Sequence, residues 1–145
     1  MQQFLFGRLD PSDLGGLGIL FDSTTGPLTW EEANIYCQEF GNGRLIEIMT
    51  EEQLDFLQME LNALDDHEES HYWWTGGTDV GRDGKWIWIE SLRDVADFVF
   101  HAGEPNDGSS LICLYLEFNW GYEAGDLICD YTTNIYPICQ QLIFE

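Results

Sequence analysis

The chain has 145 residues, 44% of them hydrophobic and 14% aromatic, which fits one domain with one core and argues against a disordered protein. It carries twenty-seven acidic and five lysine or arginine residues, a formal net charge of −22. Such a surface repels nucleic acid and attracts cations such as Ca²⁺, and no apolar run approaches the ~20 residues of a membrane span, so we expect neither a nucleic-acid partner nor membrane insertion.

The first part of the chain predicts little regular structure. Residues 1–18 contain DPSD and GGLG segments, so we expect an irregular lead-in and a folded domain over residues 19–145. The first eight residues have neither the basic start nor the apolar length of a signal peptide, so we expect the numbering to begin at a mature form. A short strand is predicted at residues 19–21.

The first helix has a clear start and stop. Thr29 and Glu32 have the spacing of a capping box, in which each side chain bonds the other residue's backbone N–H. Apolar residues follow at helical spacing, namely Trp30, Ala33, Cys37 and Phe40. Gly41 can take the left-handed conformation that ends a helix. The pattern predicts a helix over residues 30–40.

A second helix is predicted over residues 51–64. Thr50 and Gln53 repeat the capping-box spacing. The apolar residues that follow keep the helical period; they are Leu54, Leu57, Leu61 and Leu64.

After the helices the pattern changes to short strands. Strands are predicted at residues 44–49, 72–76, 85–90, 111–117, 127–131 and 135–140, with a long loop over residues 91–110. Helices followed by a run of strands indicate an α+β domain. We expect Trp74, Trp86 and Trp88 to contribute to its core, because large aromatic side chains usually dominate such cores.

The four cysteines indicate an oxidising compartment. Cys37, Cys113, Cys129 and Cys139 form an even set in a small domain, which predicts two disulfides and a secreted or extracellular protein. Three pairings are possible from the sequence alone. The chain has no CxxC motif, which argues against a structural zinc site.

A series of motifs in a fixed order resembles the C-type lectin-like domain over roughly residues 19–141. The motifs are TWEEANIYC at 29–37, GRL at 43–45, WTGGTD at 74–79, DGKWIW at 83–88, GEPND at 103–107 and YPIC at 136–139. The resemblance implies two helices packed on a small, mostly antiparallel sheet with a long irregular loop. It also implies the disulfides Cys37–Cys139 and Cys113–Cys129, as in the short, four-cysteine form of the family.

The resemblance implies a calcium ion in the long loop. The family takes its ligands from a Glu-Pro-Asn segment, a Glu two residues before the next cysteine, and an Asn-Asp pair. Glu104, Asn106 and Asp126 occupy three of these positions, and Leu111 and Gly125 stand at the other two. Glu117 and Glu123 are candidates to replace the lost oxygens.

A second, auxiliary calcium site of the family has carboxylates at matching positions. They are Asp79, Asp83 and Asp107, and Ile112 stands at the fourth position. The alternative is that Asp79 and Asp83 are ordinary carboxylates of a turn, with Arg82 between them as an ion-pair partner.

The predicted function is that of a binding module for a glycan or glycoprotein. The Glu-Pro-Asn form resembles members that prefer mannose, fucose and N-acetylglucosamine, with Ca²⁺ as cofactor. Trp120 and Tyr122 are candidates to stack on a sugar, with packing against the strands as the alternative. Two other possibilities stay open: calcium-independent binding of a protein, ice or mineral surface on the same fold, and self-association.

An enzyme is not expected, although one motif suggests it. Residues 67–71 read HEESH, which fits the HExxH motif of zinc peptidases. That chemistry needs both histidines on one helix face, whereas this segment follows the predicted end of the second helix. It is also surrounded by acidic residues, so we expect a solvated loop.

Overall fold

Two helices and eight strands are present in the residues that the computed structural model describes, which are 2–7, 17–39, 43–65, 70–80, 85–105 and 112–142. The helices are α1 (Trp30–Gln38) and α2 (Glu51–Asp65). The strands are β1 (Gln2–Gly7), β2 (Leu17–Asp22), β3 (Gly43–Leu45), β4 (Tyr72–Thr78), β5 (Ile87–Trp88), β6 (Ile112–Glu117), β7 (Glu123–Ile128) and β8 (Ile135–Leu142). The predicted α+β class is confirmed.

Helix α1 begins at the predicted capping box. The backbone N–H of Glu32 donates to Thr29 Oγ1 at 3.1 Å, and the N–H of Thr29 donates to Glu32 Oε1 at 2.9 Å. The helix ends at Gln38, with Glu39 as its C-cap. The predicted helix over residues 30–40 is therefore too long at its end, and Phe40 and the predicted stop at Gly41 lie outside the described residues.

Helix α2 starts in the same way and covers one face of the sheet. The N–H of Gln53 donates to Thr50 Oγ1 at 3.1 Å, while Gln53 Oε1 accepts from the N–H of Thr50 at 3.2 Å. Leu54, Leu57 and Leu61 are buried, as the leucine spacing predicts. The helix runs to Asp65, one residue beyond the predicted end.

Strand β8 lies at the centre of the sheet. The strand order is β1-β2-β8-β4-β6-β7, with β3 paired to β8 and β5 paired to β4. Strand β8 is antiparallel to β2 and β3 and parallel to β4. Strands β6 and β7 form an antiparallel hairpin in which Glu117 pairs with Glu123.

The N-terminal segment corrects one prediction. Residues 2–7 form β1, which pairs with β2 from Gln2↔Asp22 to Gly7↔Leu17, whereas an irregular lead-in was expected over residues 1–18. The sequence QQFLFG contains phenylalanine and leucine, which favour strands. The acidic residues and two of the three glycines that suggested a loop lie between β1 and β2, outside the described residues, whereas Gly18 belongs to β2 and pairs with Phe6.

Several strand limits differ from the predictions. The segment predicted at 44–49 has a strand only at Gly43–Leu45. The strand expected at 127–131 is β7 at Glu123–Ile128, because its pairing with β6 ends at Ile112↔Ile128. The N–H of Tyr131 then donates to the carbonyl of Ile128 at 3.1 Å, which makes a turn there. The strand expected at 85–90 is limited to the two residues of β5.

The disulfides connect elements that are distant in sequence. They pair Cys37 with Cys139 and Cys113 with Cys129, which confirms the pairing implied by the resemblance. The first links α1 to the central strand, and the second closes the β6–β7 hairpin.

The tryptophans predicted for the core are buried. Trp74 and Trp88 are 0% exposed and Trp86 is 8% exposed, so the prediction is confirmed. In the part of the chain that is described, no helix has the length and apolar character needed to cross a membrane.

Candidate ligand site

The long loop is fixed against the outer strand β7. Its first part returns towards β5, where the N–H of Val95 donates to the carbonyl of Trp86 at 3.1 Å. After a short 3-10 turn at Asp97–Val99, the N–H of His101 donates to the carbonyl of Ala124 at 2.8 Å. The loop residues that follow are thereby held next to Asp126.

Glu104 and Asp126 meet at this position, one from the loop and one from β7. The N–H of Glu104 donates to the carbonyl of His101 at 2.9 Å, which turns the loop towards the strand. The N–H of Asp126 donates to Glu104 Oε1 at 3.4 Å, and Asp126 is 9% exposed. The Glu104–Pro105 peptide bond is cis. Two of the sequence-predicted calcium ligands are therefore adjacent.

The electrostatics of this pair favour a bound positive charge. Burial, followed by a hydrogen bond with the side chain of Asp126, raises the pKa of Glu104 to about 7. Two neighbouring carboxylates cannot both ionise without cost, so near neutral pH Glu104 is partly protonated when no cation is present. A metal ion or other cation at this position would take the place of that proton.

Trp120 occupies the space beside Gly125, one of the two positions where a family ligand is missing. A Cβ atom added to Gly125 would lie 2.6 Å from Cζ3 of Trp120 and 3.2 Å from Cε1 of Tyr115. Atoms at these distances overlap, so no larger side chain fits at position 125 while Trp120 holds its place. An aromatic ring therefore fills the space beside position 125, where the resemblance implies an asparagine.

Two residues that the sequence analysis did not assign to the site hold Trp120 in place. The ring of His101 stacks on Trp120 with centroids 4.3 Å apart and an interplanar angle of 9°. Nδ1 of His101 is 2.8 Å from Oε1 of Glu123. His101 lies in the long loop and Glu123 in β7. The sequence could not show that they are in contact, because their contact depends on how the loop packs on the strand.

Tyr122 does not belong to the ligand surface, which corrects its assignment as a sugar-stacking candidate. Its side chain is 0% exposed and packs in the larger hydrophobic core cluster. It follows the left-handed Gly121 at the hairpin end and is itself at a φ of 68°, which turns the ring inward. The packing alternative is the correct one for Tyr122, whereas Trp120 is half-buried at the surface.

Glu117, considered as a replacement ligand, is engaged in the hairpin. Its Oε1 accepts from the hydroxyl of Tyr115 at 2.9 Å, and its Oε2 accepts from the backbone and side-chain nitrogens of Asn119, each at 3.0 Å. Burial, together with the bond to Glu117, raises the pKa of Tyr115 well above its ordinary value. These contacts stabilise the hairpin end rather than the calcium position.

The other predicted ligands are placed as follows. Asn106, Asp107, Leu111 and Asp83 lie outside the described residues. Asp79 is buried directly after β4, where its N–H donates to the carbonyl of Ile112 at 3.4 Å. Within the described ranges, no group of three or more histidine, cysteine, aspartate or glutamate side chains could hold a metal ion.

Residues 67–69 of the HEESH segment lie outside the described residues, and helix α2 as described ends at Asp65, before the motif. His71 stands in the extended residues before β4, where its Nδ1 is 2.6 Å from Oδ1 of Asn134. Its ring contacts that of Tyr136 with centroids 4.8 Å apart, so it has a packing role.

Comparisons with known proteins identify the family of the chain. The family model described as "Lectin C-type domain" matches residues 26–141. The chain is 26% identical over 110 residues to a perlucin-like protein of Mytilus galloprovincialis, covering 76% of this chain and 68% of the relative. It is 25% identical over 103 residues to lithostathine-1 of Mus musculus, covering 69% of this chain and 59% of the relative.

Solved structures show the same fold. The carbohydrate-recognition domain of the mouse scavenger receptor C-type lectin superposes with a TM-score of 0.71 at 20% identity, covering 89% of this chain and 91% of that one. The corresponding domain of cow CD23, solved in the presence of a GlcNAc2Man3 oligosaccharide, gives 0.66 at 24% identity, covering 83% and 84%.

Proposed function

Because the chain belongs to the C-type lectin domain family, whose model matches residues 26–141, we propose that it binds carbohydrate at the surface formed by the long loop and β7. Proteins of this family that resemble it bind ligands and are not enzymes, so the chain is a binding domain rather than a catalyst. The glycan partner is supported by the relatives, since cow CD23 was solved in the presence of an oligosaccharide and another structural neighbour is a complex with GlcNAc.

The observation that carries the proposal is the approach of Glu104 and Asp126. The backbone N–H of Asp126 reaches Glu104 Oε1 at 3.4 Å, and the raised pKa of Glu104 reflects two carboxyl groups in one partly buried place. Carboxylate oxygens from two separate elements converging at a loop surface are what a hard cation requires. The stacked ring of Trp120 stands near this pair, beside Gly125.

A calcium ion is proposed as the cofactor, held by Glu104, Asp126 and the side-chain carbonyl of Asn106. These oxygens suit Ca²⁺ in kind, but Ca²⁺ takes six to eight ligands and two family positions here lack an oxygen donor. Bound there, the ion would accept vicinal sugar hydroxyls as further ligands. Water or sugar must complete the shell, so we expect weak calcium binding and a weak monosaccharide affinity that clustering of domains or glycans would strengthen.

Calcium-independent binding is the second candidate, and Trp120 favours it. The ring fills the space where a fourth protein ligand would stand at position 125, and the His101–Glu123 contact holds it there. The half-buried Trp120 ring is a proposed stacking surface for a sugar in either case. Removal of calcium by a chelator distinguishes the two candidates.

The first test changes two proposed ligands together. Glu104→Gln with Asn106→Asp exchanges the positions of a carboxylate and an amide in the loop. Immobilised mannan should be bound at least about tenfold more weakly, because the hydrogen-bond donors and acceptors offered to the sugar hydroxyls change place. Binding is measured by surface plasmon resonance with millimolar calcium. If mannan binding survives both this change and a chelator, calcium does not mediate sugar binding here.

Calcium affinity should also depend on pH. The raised pKa of Glu104, about 7, means that the free protein binds a proton that calcium must displace, whereas an ordinary carboxylate is already ionised at pH 6. Affinity should therefore fall about tenfold between pH 8 and pH 6, with about one proton released per ion at the lower pH. Isothermal titration in buffers of different ionisation enthalpy measures both quantities.

The control for this pH dependence is Glu104→Gln. Without the titrating carboxyl group, the remaining calcium affinity should change little between the two pH values. A wild-type affinity that is equal at pH 6 and pH 8 would contradict the assignment of Glu104 as a ligand.

An extracellular location is proposed from the disulfides, because both join cysteines that would stay reduced in the cytosol. A preference for mannose, fucose or N-acetylglucosamine is proposed from the Glu104-Pro105-Asn106 sequence. The auxiliary calcium site at Asp79, Asp83 and Asp107 stays a proposal, as does self-association.

A further inference from the structure

We propose that a cavity beside Glu104 binds the free ammonium group of an amino sugar, such as a glucosamine unit that lacks its acetyl group. The proposal rests on the proposed carbohydrate function and names a ligand class for it. It differs in mechanism, because the ligand's own positive charge takes the place of a metal ion.

The cavity lies on the loop side of β5 and has a volume of about 440 Å³. This falls within the ~300–1,000 Å³ of sites that hold small ligands. Its lining combines apolar residues, Trp86, Phe100 and Pro105, with polar ones, Asp97, His101 and Glu104. A sugar ring has the same mixed character, with C–H groups on its faces and polar groups around its rim.

The charge around the cavity selects a cation. Two carboxylates, those of Asp97 and Glu104, line it, and the described lining residues include no lysine or arginine. His101 faces a carboxylate of its own, since its Nδ1 is 2.8 Å from Glu123. The net charge of −22 adds a long-range attraction for cationic ligands and repels sulfated or carboxylated sugars.

The two aromatic residues of the lining, Trp86 and Phe100, provide a second attraction for an ammonium group. The rings of Trp86 and Phe100 meet edge to face, with centroids 5.7 Å apart and an interplanar angle of 73°. Aromatic faces attract a cation through their quadrupole and pack well against C–H groups. An acetylated amine has no positive charge, so it loses both this attraction and the attraction to the carboxylates.

Glu104 belongs both to this cavity and to the proposed calcium site, so the two ligands should compete. A calcium ion held by Glu104 and Asp126 would neutralise the negative charge that attracts an ammonium group. Calcium should therefore weaken binding of an amino sugar, whereas it should strengthen binding of mannose in the proposed function.

The test compares two oligomers that differ only in acetylation. A tetramer of β1–4-linked glucosamine and its fully N-acetylated counterpart are titrated by calorimetry in a chelator at 150 mM salt. The glucosamine tetramer should bind at least about tenfold more tightly, and millimolar calcium should reduce that difference. Equal affinities, or tighter binding of the acetylated tetramer, would overturn the proposal.

Three variants locate the site. Ala102 lines the cavity and is exposed, so Ala102→Phe fills the opening without removing a core contact and should abolish binding of the glucosamine tetramer. Asp97→Asn should weaken it about threefold. The control Asp55→Asn, on the exposed face of α2, makes the same change in net charge and should have no effect.

Two results separate a specific site from attraction to any polycation. If Asp55→Asn weakens binding as much as Asp97→Asn, or if a lysine tetrapeptide binds as tightly as the glucosamine tetramer, the cavity is not the site and the proposal is wrong. Mannan binding in calcium is scored separately. If the protein does not bind mannan in calcium but does bind the glucosamine tetramer in chelator, the proposed calcium mechanism is wrong and the amino-sugar proposal stands.

Discussion

Replacement of Cys37 and Cys139 by serine together is expected to lower the free energy of unfolding by up to ~4–5 kcal/mol. The bond spans 102 residues, and crosslinking so long a segment restricts the unfolded chain strongly. A loss of this size is a large part of the ~5–15 kcal/mol that stabilises an ordinary domain, so the variant should be largely unfolded at 37 °C. Urea unfolding followed by tryptophan fluorescence measures it.

The matched control is the other disulfide. Cys113 and Cys129 are only 16 residues apart, so their replacement by serine should cost ~3 kcal/mol. Both variants remove two sulfur atoms, of which only that of Cys129 belongs to a partly buried residue, and they differ mainly in loop length. A larger loss for the short-loop variant would show that strain or packing, rather than restriction of the unfolded chain, sets the contribution of these bonds.

The second large effect is expected from the exchange of Trp120 for the missing calcium ligand. Gly125→Asn alone should destabilise the domain by ~1–3 kcal/mol, because its Cβ would lie 2.6 Å from the ring of Trp120. Combined with Trp120→Ala, the same asparagine has space and adds an oxygen next to Asp126. Calcium affinity should then rise about tenfold over wild type, as measured by isothermal titration.

The control for this exchange opens the same space without adding an oxygen. Gly125→Ala with Trp120→Ala should leave calcium affinity near the wild-type value. If the variant with asparagine binds calcium no more tightly than the one with alanine, position 125 does not face the ion.

Local sequence patterns were sufficient to predict the helices, because the signals that begin them are local. The capping boxes at Thr29 and Thr50 form as the spacing requires, and the leucines of α2 point into the core. Strand limits were predicted less well, since the end of β7 depends on its partner. Ile128 is the last paired residue because β6 begins at Ile112, a fact about register that no local pattern contains.

The candidate site was predicted in part. The motif order brought Glu104 and Asp126 into one proposed site, and the structure places them in contact. The sequence did not predict that the ring of Trp120 fills the space beside Gly125. The two residues are five positions apart and meet only when the hairpin folds back. The sequence could not show that Tyr122 is buried while Trp120 lies at the surface. The Tyr122 ring points inward because Tyr122 and Gly121 both have a left-handed backbone.

The central position of β8 has a consequence for how the protein is made. Its neighbours β2, β3 and β4 all precede it by at least about sixty residues in the chain, so during synthesis they have unpaired edges until the last strand leaves the ribosome. Pairings this distant in sequence are associated with folding in milliseconds to seconds rather than microseconds. At a synthesis rate of ~5–20 residues per second, the emerging chain therefore exposes strand edges and free thiols together for several seconds. Cys37 cannot form its native disulfide until residue 139 has been made.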